Sequence, residues 1–255
     1  LYLGVKGGFG QVIAGRHDMP FKTVGRKADL FGDSIGDHRQ VTRAKVGDDD
    51  WADRRDHLIM YTNKFGAVDA KFAYGVGQNG DKSEDMGLSL GYKADALTVM
   101  FAYEDHGKGN LNGDTNSSGM MLTGAYSMNN MTFLAGYGEL SDIDGDKGDA
   151  GQGTMYTLGG KMKSGMNTFK LQYTEAESDV SKSASSLVAV GVDHNFSKKT
   201  QVYAVYATIM NDDAAGAGFT NGGHANTVGV ARNDDSTAKP GQDASGFSFG
   251  MIHKF

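Results

Sequence analysis

Apolar and polar residues alternate along most of this chain. Within segment 68–75 the larger side chains occupy even positions, while charged or small ones occupy odd positions: Val68, Ala70, Phe72 and Tyr74 against Asp69, Lys71, Ala73 and Gly75. A period of two places the two sets on opposite faces of a β-strand. The same split recurs in segments 97–104 and 169–174. The pattern therefore predicts strands with one apolar and one polar face.

About thirteen segments of roughly ten residues carry this alternation, which is the length a tilted strand needs to cross a membrane. The clearest are 69–77, 85–93, 97–104, 120–126, 131–138, 155–163, 168–174, 187–196 and 201–210. Short connections at 129–130, 165 and 197–199 alternate with long polar ones at 78–84, 105–117, 141–153 and 211–243. Unequal connections of this kind are typical of tight periplasmic turns and longer extracellular loops.

The final segment, Ser245–Phe255, keeps the alternation and ends on a C-terminal phenylalanine. A lipid-facing strand can anchor such a ring at the membrane interface, so we predict that Phe255 is a membrane anchor. An edge strand of a soluble β-sandwich is the alternative. His194 and His253 fall on outward positions near the same rim, where interfacial packing is favoured over metal ligation.

Composition favours an all-β membrane protein over a helical one. The mean hydropathy is -0.42, and the chain has no apolar run long enough for a spanning helix. A closed barrel then satisfies every backbone polar group inside lipid. The absence of cysteine excludes a disulfide framework, and a net charge of -6 argues against nucleic acid as a partner.

The connection from His17 to Asp50 is too apolar for a free surface loop, because Leu30, Phe31 and Ile35 need burial. We expect it to fold inward against the barrel wall and to leave its aspartates facing the lumen. A surface-packed loop with a short helix is the alternative.

Four segments resemble the general diffusion porins of Gram-negative bacteria: Gly15–Lys22, Asp29–Asp33, Asn195–Thr200 and Gly250–Phe255. The resemblance runs the full length. It implies an all-β, transmembrane antiparallel barrel of 16 strands in one domain over residues 1–255, with segment 17–50 as the constriction loop. It also implies a homotrimer in the outer membrane, surrounded by lipopolysaccharide and lipid. Small hydrophilic solutes and ions would pass through it without a cofactor.

The resemblance also sets an expectation about strand number. Outer-membrane barrels close with an even number of antiparallel strands. The family has three strands before the equivalent of Leu1, and three plus about thirteen makes sixteen. We therefore expect an N-terminally incomplete porin that also lacks its signal peptide.

In the family, acids on the inward loop face basic residues on the opposite wall. The acidic candidates are Asp29, Asp33 and Asp37, and the basic candidates are Arg16, Lys71, Lys161 and Lys170. Each lysine could instead be a solvated wall charge away from the constriction. Arg39 and Arg43 are candidates for bracing the loop by pairing with its own aspartates.

The basic wall looks weaker than is usual in the family. Ile252 stands where many members have arginine, and an inward basic residue near Met60 is missing. With the acidic loop retained and a net charge of -6, this predicts modest cation selectivity.

Other features suggest alternative chemistry. Asp142, Asp144 and Asp146 have the initial spacing of a calcium loop, but the following glycine and position twelve depart from it. A solvated acidic loop fits better, and weak Ca²⁺ or Mg²⁺ bridging from these aspartates to lipopolysaccharide phosphates is the alternative. Asp105 and His106 raise the alternative of a barrel hydrolase, although no serine lies in a nucleophile elbow. A substrate-selective channel is a further alternative.

Overall fold

A computed structural model describes residues 1–42, 45–46, 49–51, 54–76, 84–107, 116–143, 147–219 and 239–255. The strands are β1 Tyr2–Gly7, β2 Gly10–Asp18, β3 Lys45–Val46, β4 Asp49–Asp50, β5 Arg54–Phe65, β6 Val68–Val76, β7 Glu84–Ala94, β8 Leu97–His106, β9 Ser117–Met128, β10 Met131–Ser141, β11 Gly153–Ser164, β12 Asn167–Ser178, β13 Ser185–Asn195, β14 Thr200–Asn211 and β15 Ala244–His253. The helices are α1 Pro20–Gly25 and α2 Arg39–Thr42, with 3₁₀ turns at Arg26–Ala28 and Asp149–Gly151.

In the described part of the chain, thirteen strands form one sheet, in which each strand pairs antiparallel with its neighbours in chain order. The all-β antiparallel prediction is confirmed. The small β3–β4 hairpin lies in the connection between β2 and β5. Among the described residues, β1 and β15 are the two edges of the sheet and do not pair with each other. Closure with sixteen strands therefore stays a prediction.

Connections alternate in length as the sequence indicated. Two to four residues join the strands at one end, for example Asn129–Asn130 between β9 and β10, and longer segments join them at the other. The first residues of these tight turns include Gly66, Asn129 and Gly165, which have φ of 62°, 54° and 58°. Glycine and asparagine tolerate that left-handed conformation, which explains their use there.

The two faces of the sheet differ in the way the alternation predicted. Phe72, Leu158 and Leu171 are exposed on one face, whereas Ala73, Ala102 and Thr174 on the other are buried. We call the buried side the inner face, because the long connection after β2 covers it. Within the described ranges, no helix is both long enough and apolar enough to cross a membrane.

Candidate functional site: the constriction loop and the inner wall

The connection between β2 and β5 is the constriction loop, and its described residues, 19–42, 45–46 and 49–51, lie across the inner face. Its helix α1 begins with Pro20 at the first helical position, where a missing N–H costs nothing. Helix α1 packs against β6 to β9, the 3₁₀ turn Arg26–Ala28 against β9 to β11, and α2 against β12 and β13. The loop thus spans most of the sheet width instead of lying on the outer surface.

Apolar side chains hold the loop at several places. Phe31 is 2% exposed and packs among wall residues of β13 and β14: Leu187, Ala189, Val205, Ala207 and Ile209. Phe21 and Trp51, near the two ends of the loop, pack with Ala102 and Met121. Full burial of one such side chain contributes about 1.5–3 kcal/mol. Leu30 and Ile35 are partly buried against the same cluster as Phe31.

Glycines of the wall admit the loop, and the sequence analysis missed them. A Cβ atom at Gly87 would lie 2.7 Å from Pro20 Cδ, one at Gly119 2.6 Å from Trp51, and one at Gly136 2.7 Å from Ala28 Cβ. At Gly191 it would lie 2.7 Å from Phe31 Cε1. Glycine weakens a strand, so its recurrence at inward positions was the available signal of a close neighbour.

The acidic side chains of the loop are largely occupied. Asp37 is completely buried, and its carboxylate accepts hydrogen bonds from the Arg39 guanidinium and the Asp33 N–H. Burial alone would raise the pKa of Asp37, but these bonds and the charges of Arg39 and His38 hold it below its ordinary value. Arg39 also reaches Asp33 Oδ1 at 2.9 Å, which is the pairing expected of a residue that braces the loop.

Asp29 points toward the wall. Its Oδ1 accepts hydrogen bonds from Phe31 N–H and from Gln172 Nε2 on β12, and burial raises its pKa. The expectation that all three aspartates face the lumen is therefore wrong for Asp29 and Asp37, because each is needed to satisfy buried donors. Asp33 is the exposed one, with 68% of its side chain accessible, and it pairs with Arg26 at 3.0 Å.

One group of side chains has the atom types of a metal site. Asp29, Asp37 and His38 each offer a ligand atom, and these atoms lie within 4.8 Å of one another. Arg39 already occupies both oxygens of Asp37, so a divalent cation would have to displace a buried guanidinium. The arrangement is better explained as internal ion pairing.

Several basic side chains lie on the loop and on the wall near it. Arg26 and Lys27 are exposed on the 3₁₀ turn. On the inner face near the tight turns lie seven lysines, which we call the lysine belt: Lys6, Lys64, Lys71, Lys93, Lys161, Lys163 and Lys170. Lys161 and Lys170 are direct cross-strand partners, although like charges in that position repel.

Only part of the lysine belt is neutralised. Lys170 pairs with Asp193 at 2.9 Å and Lys64 with Asp69 at 3.7 Å. No other wall lysine of the belt has an ion pair within the described residues. A cavity of 340 Å³ on the inner face is lined by Lys6, Lys64, Asp69 and Lys71 among others. The wall beside the loop therefore carries excess positive charge.

A sequence model of the protein family with the description Gram-negative porin matches residues 1–214 of the chain. The chain belongs to the Gram-negative porin family. Outer membrane porin protein 32 of Delftia acidovorans is 26% identical over 267 residues, covering 99% of this chain and 72% of that protein. The family resemblance and the outer-membrane location expected from the sequence are thereby confirmed.

Solved structures share the fold of this porin. The anion-selective porin from Comamonas acidovorans aligns with a TM-score of 0.76 at 24% identity, covering 100% of this chain and 77% of that one. In-vitro folded OmpT, an outer membrane protein of Vibrio cholerae, aligns at 0.68 and 18%, covering 99% and 78%. Its trimer form aligns at 0.65 and 15%, covering 99% and 79%.

The remaining predicted site residues of the porin are dispersed. Arg16 lies at a register shift in β2, and its Nη1 contacts Asp56 of β5 at 3.2 Å. Lys71 Nζ reaches Thr23 Oγ1 of the loop at 3.5 Å. Arg43, Asp144 and Asp146 lie outside the described residues.

Several other side chains that the sequence pattern indicated have defined neighbours in the porin. Asp142 Oδ1 accepts a hydrogen bond from Gln152. Phe255 is fully exposed and its ring meets His253 edge to face, as Phe196 meets His194. Asp105 and His106 alternate on β8, so they point to opposite faces and do not form a catalytic pair.

Proposed function

We propose that small hydrophilic solutes and ions cross the outer membrane passively along the inner face of this porin, with the constriction loop as the sieve. The observation that carries the proposal is the loop itself, which runs from β6 to β13 on the polar face. We further propose a homotrimer in lipopolysaccharide-containing lipid, as in the trimer form of OmpT that shares the fold. The opposed directions of Asp105 and His106 favour a channel without enzymatic activity.

We also propose that the porin prefers anions. The cation preference expected from the sequence combined a weak basic wall, an acidic loop facing the lumen and the net charge of -6, and it is not supported. Asp29 is bonded to the wall residue Gln172, and Asp37 is paired with Arg39 inside the loop. On the inner face of the wall near the tight turns, the seven lysines of the lysine belt outnumber two aspartates, Asp69 and Asp193. The Debye length is about 8–10 Å in physiological salt, so such charges act on ions across a narrow lumen. The similarity to the anion-selective porin from Comamonas acidovorans supports this assignment.

Liposome swelling tests the diffusion proposal directly. Proteoliposomes containing the protein should swell in neutral sugars at rates that fall steeply with sugar size, because the loop narrows the passage. Sugar acids should enter faster than amino sugars of equal size. Swelling that matches protein-free liposomes would refute the channel, while faster entry of amino sugars would refute the anion preference alone.

A further inference from the structure

Both ends of the constriction loop meet at one point of the wall. Near its start, the Phe21 N–H donates to Glu104 Oε2 on β8 at 2.9 Å. Near its end, the Trp51 ring stacks on His106 of the same strand, with centroids 3.9 Å apart and planes inclined by 20°. Phe21 and Trp51 also contact each other edge to face at 5.2 Å. Two inward residues of β8 therefore connect the beginning and the end of the loop.

A relay of buried polar groups stabilises this connection. Glu104 is 1% exposed and His106 is 3% exposed. His106 Nε2 lies 2.6 Å from Glu104 Oε1, and its Nδ1 lies 2.8 Å from Arg55 Nη2. Guanidinium only donates, so Nδ1 accepts and the ring proton is on Nε2, which donates to Glu104. The neutral imidazole thus links the Glu104 carboxylate to the positive charge of Arg55, which also approaches Asp85 at 3.5 Å.

Glu104 also supplies what helix α1 lacks. The first N–H groups of a helix have no partner within it and are usually satisfied by an N-cap side chain. The N-cap residue here is Met19, which makes no side-chain capping bond. A carboxylate from β8 satisfies the Phe21 N–H instead, and negative charge at that end suits the helix dipole. The Phe21 N–H at the start of α1 therefore has its hydrogen-bond acceptor only while the helix is packed against β8.

We infer that Glu104 and His106 are positioning residues that hold the two ends of the constriction loop against β8. We call this contact the clasp, and it sets how far the loop extends into the lumen. The inference rests on the proposed function, because it makes these two residues determinants of the channel's aperture. Without the clasp, the loop keeps its apolar contacts near Phe31, but α1 loses its cap and Trp51 loses the ring beneath it. The two ends of the loop, at Phe21 and Trp51, then move away from β8.

The single tryptophan of the chain reports on the clasp. Trp51 is 2% exposed, so its emission should be blue-shifted and protected from acrylamide. Glu104→Gln leaves one oxygen to accept from both Phe21 and His106, and His106→Phe retains a ring for stacking but removes the relay. We expect both variants to increase acrylamide quenching of Trp51. We also expect single-channel records of both variants to show sub-levels of conductance that records of the unmodified protein do not show. Asp105→Asn, on the opposite face of the same strand, is the matched control.

Quenching and open levels equal to those of Asp105→Asn in both variants would overturn the inference. If Glu104→Gln fails to fold, as judged by circular dichroism and heat-modifiable gel migration, His106→Phe decides alone. Conductance of the unmodified protein tests the proposed function independently of the clasp. Its absence would refute the proposed function, while the quenching of Trp51 still decides whether the clasp exists.

Discussion

Adding one methyl group at Gly136 should displace the constriction loop. A Cβ at this position would lie 2.7 Å from Ala28 Cβ, whereas carbon atoms rest about 3.5–4.0 Å apart. The shortfall is about 1 Å, and Ala28 cannot relieve it by rotation because its Cβ is fixed to the backbone. The 3₁₀ turn Arg26–Ala28 must therefore shift as a unit into the lumen, carrying two exposed cations with it.

The expected cost follows from comparable core changes. Overpacking a buried contact costs about 1–3 kcal/mol, against a gain of about 0.5–1 kcal/mol from replacing glycine inside a strand. Gly136→Ala should thus be less stable than the unmodified porin by up to about 2.5 kcal/mol and should conduct less. Thermal unfolding followed by circular dichroism and single-channel recording measure the two effects.

Gly124→Ala is the matched control, because a Cβ at Gly124 on β9 meets nothing within 4 Å. The control should keep its conductance and unfold no earlier than the unmodified protein. If Gly136→Ala behaved like Gly124→Ala in both assays, the close docking of the loop on the wall would be refuted.

Three further predictions concern charge. Arg39→Met should lower the free energy of unfolding, measured in urea, by about 3–5 kcal/mol, because it leaves Asp37 buried without its partner. Arg26→Met should lower it by under about 1 kcal/mol, since its ion pair with Asp33 is exposed. Equal losses in the two variants would contradict the bracing role of Arg39. Because the pKa of Asp37 is lowered in the folded protein, its carboxylate contributes stability at pH values above the ordinary pKa of 3.8, and this contribution is lost as the pH falls through the folded pKa. The free energy of unfolding should therefore decrease as the pH falls below 3.8. An equal decrease in Asp37→Asn would exclude this group as the cause. Replacing Lys161 and Lys163 by Gln should move the reversal potential in a salt gradient toward the equilibrium potential of the cation. The same change at Lys198 and Lys199, in the tight turn after β13, should leave the reversal potential unchanged. A shift of equal size in both variants would show that the position of the lysines in the lumen is unimportant.

Alternation was informative because strand period is a local property. It assigned the two faces around Phe72 and Ala73 correctly, and the apolar content of Leu30 and Phe31 correctly indicated a loop that packs against the wall. The charge states of the loop were not accessible in the same way. Whether Asp37 faces water or Arg39 depends on how far the loop descends onto the wall, which no local pattern contains.

The proposed anion preference illustrates the same limit. The net charge of -6 sums over the whole chain, whereas ions respond to charges on the inner face. Lys93 and Lys163 share the parity of inward residues on their strands, so strand parity would have identified them as wall charges. The clasp at Glu104 and His106 was partly visible too, because residues two apart on a strand share a face. Their connection to Phe21 and Trp51 required the three-dimensional path of the loop.

The reversal potential of the protein in a planar bilayer under a potassium chloride gradient tests the central claim most directly. An anion-preferring porin should conduct, and its reversal potential should be displaced toward the equilibrium potential of chloride. Displacement toward the equilibrium potential of potassium would contradict the role assigned to the lysine belt, and a membrane that stays non-conducting would contradict the channel itself.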